Sequence, residues 1–365
     1  MTKLLDSLDP DKLRRILVID LALLGDIVTL EPALRLIKQH FPHAAIDAVA
    51  NPISGELLKL MPEVERVIPW DKRGADRGTG GFLRVARRIR QKYELALLFH
   101  NSIGSALLAF LVGVPWRVGY ASELRGPLLT HPVPLPEENL HLIDQRLRLL
   151  KEVGIEGKLD PPYPRLEVDR SRARAWLVER APVDGAGRPL VLIPLSAGYE
   201  TKSWPAENIE RFMNLFGEGE VCFVLTGVEE DREKLEHIFS YRNPVIDLVG
   251  KTSVRELVMA VAGSDLVVSP DTGPMHIAAA VGVPVVALFG PTDPELCGAR
   301  GREVVILQAD LKCVRCYKKQ CNFNPFCMRD ALTPELVYKV ARGMIFRSGQ
   351  PRQGVVGEAR AGVLD

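Results

Sequence analysis

Short apolar, β-branched runs recur along the chain with helical stretches between them. They are RILVID at 15–20, AAIDAVA at 44–50 and LALLF at 95–99, then, after a break, PLVLIP at 189–194, VCFVLTG at 221–227, DLVVS at 265–269 and PVVALFG at 284–290. A strand that is apolar at every position, rather than at alternate ones, is covered on both faces, as strands of parallel sheets with flanking helices are. The pattern occurs twice. Between the two sets, LDPPYPRLEVDRSRARAWLVERAPVDGAGRP opens with three prolines in four residues and closes on a Pro/Gly loop, which places a linker near 160–188. The expected architecture is α/β, with two Rossmann-like, doubly wound parallel-sheet domains facing a central cleft and strand ends and helix starts turned towards it. The domains are expected at 1–170 and 171–348, and the polar, Gly-rich 349–365 as a flexible tail.

One segment imitates a membrane span. LALLFHNSIGSALLAFLVGV, 95–114, carries no formal charge over about the length that crosses a bilayer. Its middle holds His100, Asn101, Ser102, Gly104 and Ser105, and the flanks divide into a buried strand at 95–99 and a helix at 103–112. Composition narrows the field further: 365 residues suit two domains, 47% apolar with 25% charged is globular, and 47 Lys plus Arg against 46 Asp plus Glu creates no global field for nucleic acid. Any anionic partner is held locally. The charged start, MTKLLDSLDPDKLRR, lacks the apolar core of a secretory signal, so a cytoplasmic address is expected.

Three turns carry candidate chemistry. In SPDTGPMHIAAA, 269–280, a strand hands over to a helix that has Pro274 in its first turn and Gly282 near its end. Unpaired N–H groups and the positive helix end at Asp271, Thr272 and Gly273 make an anion site, although Asp271 as a simple cap explains the same residues. In RILVIDLALLGDIVTLEPALRLI a strand leads to Gly25-Asp26, where a helix begins, and Pro32 kinks or restarts that helix. Asp26 can serve as a general base or as an N-cap. In VLIPLSAGYETKSWPAENIERFM, Lys202 sits in a polar loop beyond a strand as a point cation for phosphate, with Ser196, Gly198 and Thr201 as further donors.

Other signals weigh less. LVGKTS at 248–253 lacks the first glycine of a phosphate-binding loop, and Ser253 with Glu256 is better taken as a capping box. Acids in VLTGVEEDREKL suit a helix start, with Glu229 or Glu230 a candidate for a ribose diol. Cys313, Cys316, Cys321 and Cys327 are spaced C-x2-C-x4-C-x5-C, which fits a zinc knot loosely; zinc, a disulfide and plain thiols stay open, and no metal site is assigned. GGFLRVARRIRQKYE sets Arg84, Arg87, Arg88, Arg90 and Lys92 around a short helix, a solvated basic face that also concentrates an anionic or membrane-borne partner.

Taken together, ILVIDLALLGDIVTLEPALRLIKQHFP, NLHLIDQRLRLLKEVGI, SAGYETKSWPAENIERFM and SDLVVSPDTGPMHIAAAVGVPVVALFGPTDP resemble, in order, the pattern of glycosyltransferase family nine, the ADP-heptose:lipopolysaccharide heptosyltransferases, over about 15–340. The resemblance implies a GT-B fold and an inverting transfer of heptose or a related sugar from an ADP-sugar to a lipopolysaccharide inner-core hydroxyl, at or near the inner face of the inner membrane. It implies no cofactor beyond the ADP-sugar donor. It casts Asp26 as base, Lys202 as the phosphate-contacting lysine, and Asp271, Thr272 and Gly273 as the turn that holds sugar and diphosphate; Ser196 and His276 are expected as further donor-binding residues, and Glu229 and Glu230 as ribose-binding. A sugar-nucleotide epimerase, or a non-catalytic cysteine-metal module on this scaffold, are the alternatives. One departure stands out: where the family usually has arginine, in V-I-R-L, this chain has Asp20.

Overall fold

The computed structural model describes residues 13–182, 187–195, 197–236, 242–322 and 326–346, and the backbone alone at 235–236 and 357–361. The chain divides into two compact units, Met1–Pro164 and Arg165–Asp365.

In the first unit the strands are β1 (Arg15–Ile19), β2 (Ala45–Ala50), β3 (Val64–Pro69), β4 (Leu95–Leu98), β5 (Trp116–Tyr120) and β6 (His131–Val133). They pair in parallel in the order β3-β2-β1-β4-β5-β6. β1 and β4 are buried at nearly every position, as their unbroken apolar runs require. β3, VERVIP, is half polar because it lies at the sheet edge, with several positions open to solvent.

The second unit repeats the plan with β7 (Leu190–Pro194), β8 (Cys222–Gly227), β9 (Val245–Val249), β10 (Leu266–Pro270), β11 (Val285–Phe289), β12 (Val304–Ala309) and β13 (Gly357–Ala361), in the order β13-β12-β11-β10-β7-β8-β9. Its core gathers Phe212, Phe216 and Phe223, whose rings meet edge to face, with Ile193, Val268 and Leu288 from the sheet. Of the tail expected to be flexible, 357–361 runs as a strand beside β12, and 349–356 and 362–365 lie outside the described residues. Helix Arg170–Val178, inside the expected linker, packs on helix Val254–Gly263. Gly263 has no room for a β-carbon, which would stand 2.6 Å from the Ala173 carbonyl oxygen, so this helix belongs to the second unit.

In each sheet the strand order reverses between two neighbours, β1 and β4 in the first and β7 and β10 in the second. Connections leave such a pair in opposite directions, and the opening between them is where open α/β sheets hold ligands. The loops after β1, β7 and β10 are the three turns singled out from the sequence.

Candidate active site

Pro32 restarts the helix rather than kinking it. A five-residue helix, Leu24–Val28, ends at Thr29, and a second, Glu31–His40, begins with Pro32 in its first turn. Asp26 is the third residue of the first helix and half-buried, and the N-cap position belongs to Leu23, which makes no side-chain cap bond. The capping account of Asp26 is therefore not the one this backbone adopts.

The turn before Asp26 is clamped from several sides. The Asp20 amide donates to the Val49 carbonyl at 3.0 Å, and the Ala22 amide donates to the Asp20 carboxylate at 3.0 Å. Asn51 Nδ2 and Ser54 Oγ both donate to the Ala22 carbonyl, at 2.6 and 2.7 Å. Asp20 is 3% exposed and forms an ion pair with Arg146 Nη2 at 2.9 Å. The other guanidinium nitrogen, Nη1, donates to Thr29 Oγ1, and the Thr29 hydroxyl donates onward to the Asp26 carbonyl at 2.7 Å. A buried carboxylate needs such a partner. Where the resemblance leads one to expect an arginine, this chain has Asp20, and helix Leu142–Glu152 brings Arg146 to it.

The loop after β4 stands beside this turn. Arg125 is fully buried and holds the loop by donating to the carbonyls of Tyr120 at 2.7 Å and His100 at 2.6 Å and to Asn101 Oδ1 at 2.9 Å. Burial lowers its pKa to about 10. Burial likewise lowers that of the His100 imidazole, against the opposing pull of Asp20.

In the second unit Lys202 and Asp271 meet, as loops leaving neighbouring strands β7 and β10 should. Lys202 Nζ lies 2.7 Å from Asp271 Oδ2, with both side chains largely covered. Burial first, and then the Asp271 carboxylate, raise the Tyr199 hydroxyl pKa; the Tyr199 ring lies 5.4 Å from Lys202 Nζ. Helix Gly273–Val281 has Thr272, not Asp271, as its N-cap, with no side-chain cap bond, while Thr272 Oγ1 turns back to Ser269 Oγ at 3.1 Å and the Pro270 carbonyl at 3.3 Å. Its first-turn N–H groups thus receive no capping oxygen from Thr272. Gly282 ends the helix in the left-handed region at φ 78°. His276 is buried one turn into the helix, and Ser196 lies outside the described residues.

Glu229 and Glu230 are exposed beyond β8, one strand away from β7 at the same sheet edge. Glu229 Oε1 pairs with Arg232 Nε at 3.2 Å, and the buried Asp231 accepts from the Val228 amide at 3.0 Å. The capping box is as expected, with Ser253 and Glu256 bonding each other's amides and Gly250 left-handed after β9. Cys313, Cys316 and Cys321 are exposed and Cys327 is buried, its thiol pKa raised to about 11 by burial. Among the described residues no three His, Cys, Asp or Glu side chains converge as metal ligands. The cysteine segment instead docks at the Lys202 loop, where Thr201 Oγ1 donates to the Lys318 carbonyl at 2.5 Å, and at the loop after β11, where the Tyr317 amide donates to the Pro291 carbonyl at 2.8 Å.

Residues 82–327 match the profile of glycosyltransferase family 9 (heptosyltransferase). The chain belongs to glycosyltransferase family 9. Over 293 residues this family 9 glycosyltransferase is 30% identical to lipopolysaccharide heptosyltransferase 2 of Salmonella typhimurium, which covers 77% of this chain and 84% of that protein. Its fold matches a family 9 glycosyl transferase from Veillonella parvula with a TM-score of 0.81 at 24% identity, over 93% of this chain and 98% of that one. It also matches the ADP-heptose lipopolysaccharide heptosyltransferase II of Escherichia coli with a TM-score of 0.74 at 24% identity, over 91% and 98%. The family 9 enzyme therefore has the two-domain α/β fold of GT-B glycosyltransferases. The comparisons favour neither the epimerase nor the metal-module alternative.

Sequence reasoning missed Arg146 and Arg125. Arg146 had a signal: it falls on the same helical stripe as the buried Ile143, Leu149 and Leu150, where an unpaired cation is out of place.

Proposed function

We propose that this enzyme is an inverting heptosyltransferase that moves heptose from ADP-heptose to a hydroxyl of the lipopolysaccharide inner core, working as a peripheral protein on the inner face of the inner membrane. The observation that carries the reading is the Lys202–Asp271 ion pair at 2.7 Å, set at the start of helix Gly273–Val281 and at the switch point of the second sheet. The names of the relatives support the choice of sugar and acceptor.

Asp26 accepts the proton of the acceptor hydroxyl as its oxygen forms the new bond to the anomeric carbon. The bond from that carbon to the β-phosphate oxygen breaks, and its electron pair leaves with ADP. Lys202, released in part from Asp271, and the helix-start N–H groups of 272–273 take up the charge that develops on the diphosphate; donors of this kind are worth roughly 3–4 kcal/mol each. Asp271 keeps the lysine at the start of helix Gly273–Val281 before the diphosphate arrives, and the lysine then shares its charge between carboxylate and phosphate. Glu229 or Glu230, beyond β8, accepts from the ribose diol. No resident metal is assigned a role.

The test is mass analysis of products after mixing the enzyme with ADP-heptose and either Kdo-lipid A or its heptosylated form. ADP release coupled to acceptor gaining one heptose is expected. Conversion of ADP-heptose without acceptor would point to an epimerase instead.

A further inference from the structure

Helix Ile103–Leu111 buries Ser105, Ala106, Leu108 and Ala109 against the first sheet. Its opposite face, where a solvated helix carries polar residues, is Ile103, Leu107, Phe110 and Leu111, spaced i, i+4, i+7 and i+8. Phe110 is 48% and Leu111 53% exposed. The patch continues past the start of the helix, where the Ile103 amide donates to Glu123 Oε2 at 3.2 Å. There Glu123 and Leu124 sit consecutively in the left-handed region, at φ 47° and 57°, and Leu124 is 93% exposed. Backbone strain that holds an apolar side chain in water calls for a reason.

Cations frame this stripe. Lys72 Nζ lies 3.3 Å from Ser102 Oγ at the helix start, and the Arg117 guanidinium lies 5.3 Å from the Phe110 ring towards the other end. The neighbouring helix, Gly78–Arg88, shares the same core through Phe82 and Val85 and turns Leu83, Arg84 and Arg87 outward. Lys72, Arg84, Arg87 and Arg117 outnumber the carboxylates among them, Glu123 beside Lys72 and the Asp76 that pairs with Arg84, so two copies of this face would bring net positive charge together, which disfavours self-association. An anionic bilayer complements both features: apolar side chains enter the acyl boundary, and lysine and arginine reach headgroup phosphates.

We infer that the outer face of helix Ile103–Leu111, with Leu124, is a docking surface for an anionic lipid bilayer. This rests on the peripheral location proposed above and names its surface. Among the described residues no helix is long and apolar enough to cross a membrane, so the stripe lies in the interface plane. The apolar segment 95–114 is accordingly divided between a buried strand and a helix whose outer half meets lipid.

The experiment is co-sedimentation of the full chain with vesicles of phosphatidylethanolamine containing phosphatidylglycerol, and with phosphatidylcholine alone. Wild type is expected to bind the anionic vesicles and to be released by salt. Leu107→Glu/Phe110→Glu/Leu111→Glu should lose binding at least about tenfold while keeping wild-type hydrogen-exchange protection of the β4 amides, which reports an intact first unit. Arg84→Gln/Arg87→Gln should weaken binding about fivefold per charge removed. Wild-type binding that survives the triple substitution overturns the surface but leaves the peripheral location. Wild type that ignores anionic vesicles overturns both, and a wild-type dimer that the triple substitution dissociates assigns the stripe to a second copy.

Discussion

Arg146→Met removes the cation that faces Asp20, and the structure sets the size of the effect. Asp20 is 3% exposed, its Oδ2 lies 2.9 Å from the Arg146 guanidinium, and its other bond shown here is the 3.0 Å contact from the Ala22 amide. Stranding such a carboxylate costs about 3–5 kcal/mol. That is a large part of the roughly 5–15 kcal/mol that holds a domain together. The same substitution takes a donor from Thr29, whose hydroxyl bonds the Asp26 carbonyl. Asp20→Leu/Arg146→Met removes both charges, so it should recover much of the loss, because a buried pair replaced by apolar side chains is often neutral. Native-state hydrogen exchange reads this locally: the opening free energy of amides in β1 should fall by about 3 kcal/mol or more in Arg146→Met and by clearly less in the double variant. Amides of β10, in the other unit, serve as the control. A single variant within about 1 kcal/mol of wild type, or a double variant worse than the single, refutes the reasoning.

Two further outcomes follow from the site. Lys202→Ala removes the cation proposed to contact the diphosphate and leaves the Asp271 carboxylate without that partner, so calorimetry should show ADP binding about ten- to a hundredfold weaker; unchanged affinity contradicts the assignment. His100 has a folded-state pKa below its unfolded value, so the unfolded chain binds this proton more readily. Its contribution to stability is present above the unfolded pKa of about 6.5 and is lost as pH falls below that value and through the lower folded pKa. Denaturation midpoints measured from pH 8 downwards should therefore drop less in His100→Asn than in wild type, and parallel curves would argue against it.

Much of the fold could be read along the chain because parallel strands covered on both faces leave continuous apolar runs, and seven of them appeared in two groups. β3, β5, β6, β9, β12 and β13 are not among them: VERVIP is partly solvated at an edge, HPV is too short to carry a period, and WRVGY, VIDLV, VVILQA and GEARA are interrupted by polar or glycine positions. The turns bearing Asp26, Lys202 and Asp271 were visible because glycine and proline punctuate strand-to-helix junctions. Their local roles were not, since a cap and a base look alike in one dimension until the backbone shows Leu23 and Thr272 in the cap positions. Arg146 was harder still. Its partner Asp20 is 126 residues away, and no local pattern distinguishes a buried, paired arginine from the solvated ones on the same helix except the stripe it occupies. The charge exchange at Asp20 resolves in the same way: the anion is answered from a distant helix.

In the proposed mechanism Asp26 takes the acceptor proton while the second unit holds the donor, and Asp26→Asn separates the two most directly. Turnover of ADP-heptose with lipopolysaccharide acceptor should fall by about 10²–10⁴-fold, with calorimetric affinity for ADP essentially that of the wild type. An Asp26→Asn enzyme that transfers heptose at the wild-type rate would contradict the account.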